Sequence, residues 1–296
     1  MRKLATLCSI IALITMLLSA PSHGAAAFMS QPISPEMLEA MERGNTWSKE
    51  ALVPADRLRL LTITHWNFES QEQVGQMIVL DTCEDSVLSI FKALHHKKFP
   101  IHQIKPMHYY NGDDKAALND NNSSCYIDRN IIGGTKKSLH AYGLAIDINP
   151  IQNPFVTMDS DCGVATYDPQ TGLAYANRLD QRLGKPQRRG MAEEVIDIFA
   201  AHGFYWWGGY WDTPIDYQHF QIHSMLAALY LGANPQEAKS IFKTFVQYFN
   251  KHKKPLEIEL LEELRKDGQE ASLLDYYKKD QKRFEKCLKD LTSNKK

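Results

Sequence analysis

Between residues 84 and 94 apolar side chains recur at helical spacing (Val87, Ile90, Phe91, Leu94), which predicts a helix packed on a core. The pattern changes to alternation at 144–148. As a strand, this stretch sends Leu144, Ile146 and Ile148 into the core while Ala145 and Asp147 face the other way. Residues 219–223 alternate likewise, with His219 and His223 on one face. Residues 191–202 predict a helix, with Gly203 as its stop signal. A short strand is expected at 99–101, and the Asn-, Asp- and Ser-rich stretch 111–124 reads as loop. Two strands that carry polar groups toward a shared cleft, backed by helices, predict an α+β fold with a small antiparallel sheet.

The two flanks read differently. Residues 25–60 are punctuated by Pro32, Pro35 and Pro54 and read as an N-terminal arm with one short helix near 35–43. Beyond residue 225 the texture becomes amphipathic and lysine-rich. Asn234-Pro235-Gln236-Glu237 has the form of a helix N-terminus with a capping box. Phe242, Phe245 and Phe249 follow at helical spacing, Pro255 ends that helix, and two more are expected at 256–265 and 272–291. The predicted organisation is a signal peptide at 1–24, the arm at 25–60, a central domain at 61–225 and a helical C-terminal extension at 226–296.

The signal peptide is expected because Arg2 and Lys3 precede an apolar run from Leu4 to about Ala20, followed by the small-residue stretch 22–27. That run is shorter than the roughly 20 residues a spanning helix needs, so an exported protein without stable membrane insertion is predicted, periplasmic or extracellular. A formal net charge of -1 argues against a partner held by phosphate neutralisation, and so against nucleic acid. Cys83, Cys125, Cys162 and Cys287 remain after the leader, and an oxidising compartment predicts one or two disulfides among them.

The candidate chemistry lies on the two predicted strands. His140 and Asp147 stand seven residues apart, and His219 lies downstream. Two imidazoles and one carboxylate form a zinc ligand set that keeps one position open for water. Asp216, three residues before His219, is placed to take a proton from that water. His223 competes for the third ligand place, but four residues of strand put it roughly 13 Å from His219, too far for both to hold one ion. His219 is preferred because Asp216 lies beside it. Gly143 permits a close backbone approach near the ligands. Cys125 and Cys162 flank this motif and are the favoured disulfide pair.

Several spaced segments, in order, resemble the zinc D-alanyl-D-alanine carboxypeptidases and L-alanyl-D-glutamate endopeptidases, which share their fold with D-Ala-D-Ala dipeptidases and the Hedgehog signalling domain. They are 75–79, 99–101, 121–129, Ser138-x-His140 to Asp147, Asn149-Pro150-x-x-Asn153-Pro154, Gly203-Phe204-x-Trp206 with Gly208-Gly209-x-Trp211, and Asp216-x-x-His219-Phe220. The resemblance spans about 61–222. It implies a Zn2+ cofactor held by His140, Asp147 and His219, with Asp216 as general base and Arg129 stabilising the scissile carbonyl. It also implies Ser138, Trp206 and Trp211 as substrate contacts. Many relatives use glutamate as the base, and a phenylalanine or similar residue is usual near position 125 where this chain has cysteine. The implied activity is hydrolysis of an amide bond in a peptidoglycan stem peptide, foremost as a carboxypeptidase. The alternatives are an L-alanyl-D-glutamate endopeptidase and a non-catalytic zinc-stabilised binding module.

Overall fold

The computed structural model describes residues 26–159, 161–266 and 272–293. The expected leader at 1–24 lies outside the described residues. Strand β1 (Phe28–Pro32) leads into helix α1 (Pro35–Arg43), which Ser34 caps by accepting the amide of Met37. Strands β2 (Leu58–Trp66) and β3 (Glu72–Leu80) form a hairpin, and β1 adds antiparallel to β2, in the order β1-β2-β3. The N-terminal segment is therefore stitched into a sheet. Helix α2 (Glu84–Lys97) packs against that sheet through Val87, Ile90, Phe91 and Leu94, the stripe its periodicity predicts.

The stretch read as loop at 111–124 contains secondary structure. After β4 (Gln103–Ile104) the chain forms α3 (Asp114–Asn119), then β5 (Asn122–Ser123), which pairs in parallel with β4. Asp113 caps α3 by accepting the amide of Ala116, and Ala117 packs with Met107 and Ile127. The polar residues that suggested loop are here a cap and a helix face. The strand expected at 99–101 is reduced to a single bridge between Trp66 and Pro100.

Strand β6 (Ala145–Asp147) is followed by the hairpin β7 (Phe155–Met158) and β8 (Ala165–Asp168). The helix expected at 191–202 begins as a 3-10 turn at Ala192–Glu194 and becomes α4 (Ile196–Ala201), ending at Gly203. That glycine has φ +97°, and a Cβ there would lie 2.7 Å from Phe242. Three short strands follow: β9 (Trp206–Trp207), β10 (Ile215–Asp216) and β11 (His219–Gln221). They complete two small sheets, β6-β11-β9 and β10-β7-β8. Strand β11 stops short of His223, whose Nδ1 accepts the amide of Met225 and starts helix α5 (Ser224–Gly232). His219 and His223 therefore do not share one strand, as the alternation had predicted.

Helices α6 (Pro235–His252), α7 (Leu256–Arg265), α8 (Leu273–Lys279) and α9 (Gln281–Ser293) complete the chain. The single helix expected at 272–291 is broken at Asp280. Asn234 caps α6, but by accepting the amide of Gln236, while Glu237 turns away to Tyr277 and Gln281. Phe242, Phe245, Leu256, Leu260 and Phe284 join the same continuous core as Ile63, Phe91, Ile146 and Phe220. The C-terminal helices are thus part of the body that carries the sheets.

Candidate metal centre

The pairing of β6 with β11 sets the centre. Its register places Asp147 directly opposite His219, while Ile146 and Phe220 turn the other way into the core. His140 comes from a 3-10 turn, Leu139–Tyr142, whose first amides are capped by Ser138 Oγ, 3.3 Å from His140 N. The turn closes at Gly143, with φ +67°. A Cβ there would sit 2.6 Å from the backbone nitrogen of Leu80, which itself donates to the Gly143 carbonyl at 3.2 Å. Only glycine allows the turn to lie this close to β3.

Three side chains converge from these elements. His140 Nε2 lies 3.1 Å from Asp147 Oδ2 and 3.2 Å from His219 Nδ1, and His219 Nδ1 lies 2.9 Å from Asp147 Oδ1. One ligand atom from each residue falls within 4.8 Å of the others. On the far side of each ring, His140 Nδ1 meets the Cys125 carbonyl at 2.6 Å and His219 Nε2 meets Gln221 Oε1 at 2.8 Å. A carbonyl can only accept, so His140 carries its proton on Nδ1 and turns an Nε2 lone pair toward Asp147. Lone pairs facing a carboxylate call for a cation between them. Two imidazole nitrogens and a carboxylate oxygen are donors suited to zinc, and the residues fit the group that the sequence resemblance implies.

The electrostatics of the cluster are strongly coupled. Burial pushes the Asp147 carboxyl up, but the facing His140 and His219 overcome it and hold Asp147 well below the usual carboxylate range. Burial disfavours a charged His219, yet the hydrogen bond to Asp147 and the charges of Asp147 and Asp216 raise it to about 9. Asp216 sits on β10, beneath Gly208, where a Cβ would meet its carbonyl at 2.5 Å. Part of the residue is exposed, but its Oδ1 is sealed from solvent and has no hydrogen-bond partner. Burial raises this carboxyl to about 7, with Asp147 adding to the effect and His219 and His140 opposing it. A carboxylate poised near neutrality beside three groups that could hold a metal can accept and return a proton.

The other residues singled out by sequence are distributed unevenly. Trp211 stands beside the centre, its ring 5.5 Å from that of His219. Trp206 packs edge-on against His223 at 4.7 Å. Ser138 is buried, with its hydroxyl engaged at the start of the His140 turn, so its observed role is to shape the ligand loop. Arg129 is tied to that loop through its carbonyl, which accepts from Ser138 N at 3.1 Å. Its Nε lies 2.6 Å from Asp114 Oδ2, as an ion pair whose N–H is not aligned along the contact. Asp114 went unnoticed in the sequence because it stands in the stretch read as loop.

Among the described residues the expected disulfides are absent: Cys83, Cys125, Cys162 and Cys287 are all free. Cys125 is a core residue and Cys162 is exposed near the tip of the β7–β8 hairpin, so the two members of the favoured pair lie in different environments. Cys83 is also buried, with its thiol toward the carbonyls of Leu80 and Gly143, and burial pushes that thiol far up. The cysteine at 125 fills a core position. No described helix is long and apolar enough to cross a membrane.

No curated protein and no solved structure matches the chain. Residues 132–222, which hold His140, Asp147, Asp216 and His219 but neither Asp114 nor Arg129, match the family model described as D-alanyl-D-alanine carboxypeptidase, so the resemblance read from the sequence is borne out over that stretch.

Proposed function

We propose that the protein is an exported zinc metallopeptidase that removes the terminal D-alanine from peptidoglycan stem peptides. The observation that carries this reading is the convergence of His140 Nε2, Asp147 and His219 Nδ1 within 4.8 Å, with the unpartnered Asp216 Oδ1 on the strand that leads into His219. The peptidase unit is assigned to 61–225, with the C-terminal helices packed on it.

His140, Asp147 and His219 would hold the metal. When bound, zinc supplies Lewis-acid activation of water. Asp216 takes the proton of the attacking water and delivers it to the leaving amine. A carboxyl held near neutrality suits both halves of that transfer, since it gives the proton back as readily as it takes it. Arg129, whose carbonyl is bound to the ligand turn and whose guanidinium is ion-paired through Nε with Asp114, provides the cation for the carbonyl oxygen as it gains charge. Trp211 walls the cleft beside His219.

Incubation of the zinc-loaded protein with a defined pentapeptide muropeptide, read by mass spectrometry, tests the reading. Loss of one terminal alanine, abolished by chelator and restored by zinc, is the expected result. Cleavage after L-alanine would assign an endopeptidase instead. Stoichiometric zinc with no product would leave a binding module.

A further inference from the structure

His219 has two nitrogens and, when neutral, one proton, and two acceptors compete for it. On one side Asp147 Oδ1 lies 2.9 Å from Nδ1, and on the other Gln221 Oε1 lies 2.8 Å from Nε2. The outcome decides whether the residue can hold a metal. With the proton on Nδ1, the ring is locked into a hydrogen bond with the carboxylate that should be its fellow ligand, and its lone pair points away from the cluster. With the proton on Nε2, the Nδ1 lone pair faces His140 Nε2 and Asp147, where the ligand atoms converge.

The two histidines differ in how this choice is made. For His140 it is fixed by a main-chain group, the Cys125 carbonyl at 2.6 Å, which side-chain substitution does not remove. For His219 it rests on one side chain. Gln221 is well placed for this, because residues i and i+2 of β11 project from the same face. Its backbone is fixed on both sides, by Ala145 of β6 and Trp206 of β9.

We propose that Gln221 is a positioning residue that draws the His219 proton to Nε2 and so frees Nδ1 for the metal. The inference rests on the zinc reading of the centre and extends it to a residue outside the ligand set. Loss of such an outer partner typically weakens metal binding about 10- to 100-fold.

The test is zinc affinity, measured by competition with a chromophoric chelator, on purified wild type, Gln221→Met and Gln221→Glu. Methionine keeps the side chain's approximate bulk but offers no strong acceptor. Glutamate restores the acceptor with added charge. The expected result is a dissociation constant raised about 10- to 100-fold in Gln221→Met and at or below the wild-type value in Gln221→Glu. Metal-free thermal midpoints should agree among the three, which a merely structural role would not give. Zinc affinity in Gln221→Met within about twofold of wild type, or Gln221→Glu binding as weakly as Gln221→Met, would overturn the proposal. Wild type that binds no zinc overturns both this inference and the proposed function. A Gln221-dependent zinc site on a protein that cleaves no stem peptide upholds the inference and sinks only the function.

Discussion

Two of the shielded clusters of charged side chains in this protein are built on opposite principles. In the first, Arg57 meets Asp81 through Nε at 2.8 Å and Nη2 at 3.0 Å. Its remaining donors reach the carbonyls of Leu231 and Tyr230 at the end of α5, and Thr82 gives Asp81 a further hydrogen bond. One cation, one anion and two orphaned helix carbonyls satisfy one another. In the second, one ligand atom from each of two imidazoles and a carboxylate converges within 4.8 Å, and Asp216 beside them has an oxygen with no partner. The first is electrostatically complete and reads as a staple between the β2 region and α5. The second has the donors to be completed by a cation from outside, which marks it as a candidate site. Burial of charge alone would not separate the two; the count of satisfied lone pairs does.

The contrast breaks most visibly if Asp216 turns out to be ornamental. Asp216→Asn should retain stoichiometric zinc while turnover falls by about 10³-fold, within the range general acid–base groups supply. Steady-state kinetics beside metal analysis decides it, and appreciable activity would remove Asp216 from the mechanism. In the staple, Arg57→Ala leaves Asp81 buried without its cation and should destabilise by about 3–5 kcal/mol. Denaturant unfolding measures that loss. Zinc binding by the folded fraction should be unchanged, and a lost zinc site would show the clusters to be one unit.

Chelation sharpens the comparison from the other side. At free zinc 100-fold above its dissociation constant, the bound metal stabilises the fold by about 2.7 kcal/mol. Chelator should therefore lower the thermal midpoint, and by the same free energy in Arg57→Ala. A midpoint that ignores chelator would argue against a metal centre.

The smallest effect is a pH dependence in the metal-free protein. The folded-state pKa of Asp216, about 7, lies above its ordinary 3.8. The folded protein therefore binds the extra proton between those values, and stability falls as pH rises through that window. The Asp216→Asn variant carries no such titration at this position. It should gain stability relative to wild type between pH 5 and pH 8, as thermal melts at the two pH values will show. A constant difference would mean that Asp216 is ordinary.

Periodicity made the site's framework legible. Helices α1, α2 and α7 and strands β6 and β11 follow local patterns of apolar spacing; two of the candidate ligands, Asp147 and His219, stand on those strands, while His140 comes from a 3-10 turn. What stayed hidden depends on distant partners. Helix α3 was obscured because Asp113 and Asp114 favour loops as readily as caps, and only packing on Met107 and Ile127 decides. The fate of His223 turned on α5 starting beneath it. Cysteine spacing says nothing about which thiols face inward, and Cys125 and Cys162 face different environments. Gln221 was visible in the alternation of β11, but the ring nitrogen it holds could be known only with Asp147 opposite.

The contact between Gly143 and Leu80 has a consequence for the order of assembly. His140 is aimed by a turn pressed against the last residue of β3, and its two fellow ligands meet across a strand pair 72 residues apart in sequence. No short segment of the chain contains the site. A nascent or partly folded chain therefore offers zinc at most the neighbouring pair His140 and Asp147, unlike a finger whose closely spaced ligands can capture metal early. On the proposed zinc reading, metal uptake would report that the hairpin, the ligand turn and the distant strand have already found one another, and the reactive centre would form only once folding is finished.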